Sequence, residues 1–166
     1  MAIIMSNLLW IVILILILSI VSIMDYRYFR IPNSCSFALG CMGIIESVSK
    51  NRSLAQCVLG FLSINVVLIL IYLITQRKGI GGGDIKLLSA SGLLLGWKKN
   101  ILAFFIASLI VVFYHMIFKK IQLKKDTIRF LSGDRLAFGP YLSFGIFISY
   151  IAGDMIIQWY ENWPGL

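Results

Sequence analysis

The sequence predicts an all-α fold: a polytopic integral membrane protein with about six transmembrane helices, forming a single domain over residues 1–166. Three observations lead there. Hydrophobic residues make up 60% of the chain and its mean hydropathy is +0.93, whereas soluble domains hold about 45–50% apolar residues. The apolar residues fall in long runs, several of them near the ~20 residues that a membrane-crossing helix needs. Lys and Arg collect between alternate runs, as they do when one set of loops stays on the cytoplasmic side.

The first run, 3–24, contains "IIMSNLLWIVILILILSIVSIM". It has no basic segment before it, no small-residue cleavage site after it, and further spans follow, so it predicts a transmembrane helix and not a signal peptide. The second, 32–48, follows the turn "MDYRYFRIPNSC", where Pro32 suits a helix's first turn because its missing N–H would be unpaired there anyway. The third covers 53–76. The fourth, 84–97, opens behind "RKGIGGGDIKLL", and the fifth covers 99–118. A basic loop, 119–136, leads to the sixth run at 137–160. Trp10, Trp97, Trp159 and Trp163 fall near run ends, as interface-anchoring aromatics do.

The net charge is +8. In a chain this apolar, a basic excess points to retained cytoplasmic loops and contact with anionic lipid headgroups. No aromatic-interleaved basic patch points to nucleic acid. With the N-terminus outside, Arg27, Arg30, Arg77, Lys78, Lys86, Lys119, Lys120, Lys124, Lys125, Arg129 and Arg135 face the cytoplasm, and only Lys50, Arg52, Lys98 and Lys99 face the other side. That orientation puts Asp25 and Asp84 at the cytoplasmic boundary. Cys35, Cys41 and Cys57 lie in apolar runs without C-x-x-C spacing, so neither a disulfide framework nor a metal site is expected.

Of the seven acidic residues, Glu46, Asp154 and Glu161 are expected in solvated or interfacial positions near outer span ends, and Asp126 and Asp134 in the basic loop. Asp25 and Asp84 stand apart, because each lies where an apolar run meets a turn of unusual composition. Asp84 could be simply a first-turn acid at the positive end of a helix dipole. The glycines Gly81 to Gly83 ask for more: each gives up roughly 0.5–1 kcal/mol relative to Ala in a regular element. Irregular backbone at membrane depth is tolerated only where protein or a wet cavity covers it. Something should approach this backbone closely, and an extended peptide pairing with its N–H and C=O groups would fit.

Asp25 and Asp84 are far apart in sequence, yet the predicted topology returns both to one membrane face. Two neighbouring carboxylates resist double ionisation, which equips such a pair with one acid and one base able to activate water against an amide. Carboxylates inside membranes mark functional sites by default.

These residues resemble a known family. "GGGD", residues 81–84, matches the G-x-G-D signature of intramembrane aspartyl proteases. An Asp seven residues before the Pro of an I-P-N turn (Asp25, then Ile31, Pro32 and Asn33), followed by G-x-G-D and by an F-G-P segment in "LAFGPYLSFG", resembles the type IV prepilin peptidases over nearly the whole chain. The resemblance implies that Asp25 and Asp84 are the catalytic pair of an aspartyl endopeptidase. It would remove the short basic leader of prepilin or pseudopilin precursors after a Gly, in a bacterial cytoplasmic membrane, in service of pilus or secretion-system assembly. It implies no cofactor and no metal. Gly81 and Gly83 would let the loop approach substrate, Pro32 and Asn33 would shape the first turn, and Phe138, Gly139 and Pro140 would shape the last helix start. Fuller family members carry paired C-x-x-C motifs associated with N-methylation; none precedes Asp25 here, so the resemblance is to the short, peptidase-only, Flp/Tad-type branch.

Other readings remain at this stage: an archaeal preflagellin peptidase, a small ion-coupled transporter with a broken-helix site, or an inactive assembly scaffold. His115 reads as an interfacial or packed residue without partner ligands. Lys86 reads as a lysine reaching to the interface.

Overall fold

The computed structural model describes residues 2–74, 81–122 and 137–162, with residues 2–7, 115 and 117–122 traced as backbone. These residues form seven helices: α1 (Ala2–Tyr28), α2 (Asn33–Ser49), α3 (Leu54–Leu62), α4 (Asn65–Ile74), α5 (Gly82–Leu95), α6 (Trp97–Gln122) and α7 (Gly139–Glu161). No strand occurs among them, so the all-α expectation holds.

The expected third span is two helices, broken at Ser63 and Ile64. Two side chains bond back to main-chain carbonyls at this point. The Ser63 hydroxyl donates to the Gly60 carbonyl at 3.0 Å, and the Asn65 side-chain amide donates to the Phe61 carbonyl. Such back-bonding bends helices, and here it accompanies the break.

Among the described residues, four stretches are long and apolar enough to cross a membrane: Leu8–Tyr28, Leu54–Ile74 taken through the break, Trp97–Tyr114 and Gly139–Glu161. The chain is a multi-pass membrane protein. The other two expected spans are shorter, α2 with 17 residues and α5 with 14. At 1.5 Å per residue, α5 covers only about 21 Å of a hydrocarbon layer about 30 Å thick. It fits because it is enclosed: Leu87, Leu88, Ala90, Ser91, Gly92, Leu94 and Leu95 are all buried, the pattern of a helix surrounded by other helices.

Apolar burial does little to drive helices together in lipid, so close backbone approach carries the association. A Cβ on Gly60 would stand 2.3 Å from the Gly92 carbonyl oxygen, and one on Gly92 2.0 Å from that of Gly60, so α3 and α5 cross glycine on glycine. A Cβ on Gly145 would lie 2.3 Å from the Ala103 carbonyl oxygen, which fixes α7 against α6 in the same way. Asn100, fully buried on α6, joins these helices. Its amide donates to the carbonyls of Leu88 (3.2 Å) and Gly60 (3.4 Å) and to the Ser63 hydroxyl (3.3 Å), and its oxygen accepts from Ser91 at 2.8 Å.

At the end of the bundle where α2 and α5 finish, Arg52 donates to the Leu94 carbonyl at 2.8 Å and Ser47 to that of Leu93 at 3.1 Å. These bonds occupy orphan acceptors at the α5 C-terminus. Gly96 closes that helix with φ +78, a left-handed conformation that glycine adopts freely. Lys99 pairs with Asp154 at 2.6 Å and Lys98 with Glu161 at 2.5 Å. Asp154 and Glu161 are exposed, as expected for interfacial acids. Glu46 is not: only 8% exposed, it pairs with Lys50 at 2.5 Å and accepts from the Tyr150 hydroxyl at 3.4 Å. Of the solvated or interfacial settings expected for Glu46, the solvated one is corrected, because α2 turns this residue inward against α7.

Cys35, Cys41 and Cys57 are half-buried free thiols. Of the tryptophans, Trp97 and Trp159 are exposed at helix ends, Trp10 packs against the core, and Trp163 lies outside the described residues. So do Asp126, Asp134 and the basic residues from 124 to 135; the His115 side chain is likewise not described.

Candidate active site

The opposite end of the bundle brings together the C-terminal end of α1 and the N-terminal ends of α2, α5 and α7. Asp25 lies one turn before the end of α1 and is 6% exposed. The helix stops behind it at Phe29, whose N–H still donates to the Asp25 carbonyl at 2.9 Å but whose φ of +51 is left-handed. For a bulky residue that conformation is strained.

Asp84 occupies the third position of α5 and is 9% exposed. Its carboxylate accepts a hydrogen bond from the backbone N–H of Gly81, the residue capping α5. This is the geometry of a first-turn acid reaching back to its cap, so the plain structural role of Asp84 is real. Asp84 and Asp25 nevertheless lie close enough for the charge on one to act on the other.

The glycine stretch is not the irregular loop expected from sequence. Gly81 has ordinary extended angles (φ −74, ψ 133), and Gly82 and Gly83 are the first residues of the helix itself. What glycine supplies here is space. A Cβ on Gly81 would meet the Asp84 carboxylate oxygen at 2.9 Å, and one on Gly83 would meet the Ile31 side chain at 3.1 Å. Gly82 is exposed, and a Cβ there would meet nothing closer than the Tyr72 hydroxyl at 3.8 Å, an ordinary contact. Close approach therefore accounts for the first and third glycines from within the chain, and it leaves the middle one facing outward.

Ile31 belongs to the I-P-N turn, which places that turn directly against the opening of α5. Pro32 caps α2, with φ −61 and ψ 131, and does not enter its first turn as expected. Its extended ψ starts the helix one residue later than the sequence suggests, while its carbonyl accepts the first helical bonds from Cys35 and Ser36. Asn33 starts α2 and accepts a hydrogen bond from the Lys86 ammonium at 3.0 Å. Lys86 is thus exposed, as expected, but tied across to the turn, so α2 and α5 are braced at Asn33–Lys86 and at Ile31–Gly83.

The F-G-P segment completes the site. Phe138 caps α7 and offers no side-chain acceptor; its ring meets Phe104 edge-on, 6.2 Å between centroids. Pro140 sits in the first turn of α7. Gly139, buried at the first position, donates its N–H to the Asp25 carboxylate at 2.7 Å. Sequence reading grouped Gly139 with the helix start but had no signal for this bond, which joins residues 114 apart. All nine residues singled out from sequence therefore lie at one end of the bundle, with Asp25 and Asp84 at its buried centre.

The signature of the type IV leader peptidase family matches residues 12–116, a range that contains both aspartates and the glycine stretch. The chain belongs to that family. Among relatives in it, the prepilin leader peptidase/N-methyltransferase of Legionella pneumophila is 30% identical over 142 residues, covering 82% of this chain and 47% of the relative. The proteins of the same description from Pseudomonas aeruginosa and Bacillus subtilis are 29% and 33% identical, covering 87% and 90% of this chain and 49% and 58% of theirs. The chain thus spans about half the length of these leader peptidase relatives. No solved structure matches it.

Proposed function

We propose that this protein is an intramembrane aspartyl endopeptidase that removes the leader of type IV prepilin-like precursors. The observation that carries this is the convergence of Asp25 and Asp84 from separate helices on one buried place, each carboxylate held by a main-chain N–H. Family membership and the relatives' names support the substrate class.

The chemistry follows from the pair. A water between the carboxylates gives a proton to one of them as its oxygen attacks the scissile carbonyl; the other, protonated, donates to the developing oxyanion. Collapse of the tetrahedral intermediate then breaks the C–N bond as the leaving amine takes up a proton. With α5 about 9 Å shorter than the hydrocarbon layer and its far end level with Trp97, Asp84 lies below the membrane surface. A precursor whose leader ends in Gly at the start of an apolar helix would present its scissile bond at that depth.

The Lys and Arg asymmetry supports a cytoplasmic site, and pilus or secretion-system assembly is the role that the substrate class implies. The named relatives come from bacteria, which favours a prepilin over a preflagellin substrate.

Co-expression with a prepilin bearing a basic, Gly-ended leader, followed by mass spectrometry of the precursor, tests this reading. The parent should yield product cut after the Gly; Asp25→Asn and Asp84→Asn should each lower cleavage by at least about 10³-fold at equal expression, as loss of a general acid or base does. Full activity in either variant would refute the pair.

A further inference from the structure

We propose that Gly139 is the positioning residue for Asp25, and that its main-chain N–H is the part that acts. The proposal deepens the dyad reading above and rests on it. The first N–H groups of any helix lack partners within it, and Phe138 at the cap of α7 has no side chain able to accept. Asp25 supplies that acceptor from α1, at 2.7 Å in a buried setting, a distance at the short end for an N–H on a carboxylate. The bond fixes one carboxylate oxygen and leaves the other to face the reaction.

The space around Gly139 matches this role. A Cβ there would stand 2.7 Å from the Asp25 Oδ2, 2.8 Å from its Cβ and 2.9 Å from its Cγ. A swing of the carboxylate cannot relieve all three, because the Asp25 Cβ is fixed to α1; the helices themselves would have to separate. At Gly81, the corresponding clamp on Asp84, a Cβ would crowd only the carboxylate end, with Oδ2 at 2.9 Å and Cγ at 3.7 Å. The two aspartates are therefore aimed differently. Asp84 is held within its own helix turn, whereas Asp25 depends on where α7 begins, so a shift of the α7 N-terminus misaligns Asp25 alone.

The test removes only the N–H. The full chain, made by cell-free synthesis into nanodiscs with glycolic acid at position 139, carries a backbone ester in place of that amide. Cleavage of the prepilin should show kcat down about 10- to 100-fold, the range expected for one hydrogen bond to a charged group, with KM unchanged. An ester at Leu142 is the control: it deletes an ordinary helical bond to the Phe138 carbonyl, 3.0 Å long, and should lower Tm while holding kcat within about twofold, since that bond touches neither aspartate. Gly139→Ala should lose more activity than the ester at 139. Parental kcat with the ester at 139, or equal kcat losses from both esters, would overturn the proposal. An inactive Asp25→Asn beside a fully active 139 ester would sink the clamp alone, whereas an active Asp25→Asn would sink the dyad reading beneath it.

Discussion

Gly92→Ala sets two effects of opposite sign against each other, and the structure decides between them. Inside a helix, Ala is favoured over Gly by about 0.8–1.0 kcal/mol, so propensity alone predicts a gain. The new Cβ, however, would lie 2.0 Å from the Gly60 carbonyl oxygen, 2.6 Å from its carbon and 2.9 Å from the Asn100 amide nitrogen. A carbon rests no nearer than about 3.3 Å to a carbonyl oxygen, so α3 must retreat from α5 by more than 1 Å. The Asn100 bonds to Gly60 and Ser63, at 3.4 and 3.3 Å, are already long and would break. Each is worth about 0.6 kcal/mol in a membrane bundle, and overpacking a close contact costs about 1–3 kcal/mol more. The net expectation is a destabilisation of about 1–3 kcal/mol after the propensity gain is credited. Gly40→Ala provides the comparison: its nearest neighbour would be the Ala90 Cβ at 3.9 Å, so the propensity gain stands unopposed. Unfolding titrations in mixed micelles should place Gly92→Ala below the parent and Gly40→Ala at or above it. A Gly92→Ala protein as stable as the parent would refute the glycine-on-glycine crossing as the determinant.

Two further outcomes follow from individual contacts. Within the glycine stretch, Gly81→Ala should lower kcat about tenfold by displacing the Asp84 carboxylate a few tenths of an ångström, while Gly82→Ala should keep parental kinetics; equal losses in a peptide-cleavage assay would show that backbone freedom, not space, is what the stretch provides. At the far end, Lys50→Met should cost about 1–3 kcal/mol because it leaves the buried Glu46 without its cation, whereas Glu46→Gln should cost less than about 1 kcal/mol because Lys50 is half-exposed and water can solvate it. Thermal scans of the two variants check that order, and the reverse ranking would mean the pair is effectively solvent-exposed.

Much of this architecture was legible from runs of apolar residues, because in lipid every backbone group must be satisfied within its own helix and length then fixes what can span. The helix break at Ser63 was less legible, since serines whose hydroxyls bond back to a carbonyl also sit inside unbroken helices here, such as Ser22 in α1 and Ser108 in α6. The burial of Glu46 was hidden for a related reason: a lone carboxylate near a span end looks the same whether it faces water or a neighbouring helix.

By itself the sequence determined the class of protein, the helix positions to within a few residues, and which residues collect at one end of the bundle. Composition and spacing carry that information, because hydrophobic length and turn chemistry act locally along the chain. Only the tertiary structure decided why the glycines are glycines. Gly81 and Gly139 sit where a carboxylate fills the place of a Cβ, and Gly83 where Ile31 does. Such a requirement arises between residues brought together by packing, as with Asp25 of α1 and Gly139 of α7, and no local pattern in either segment records it.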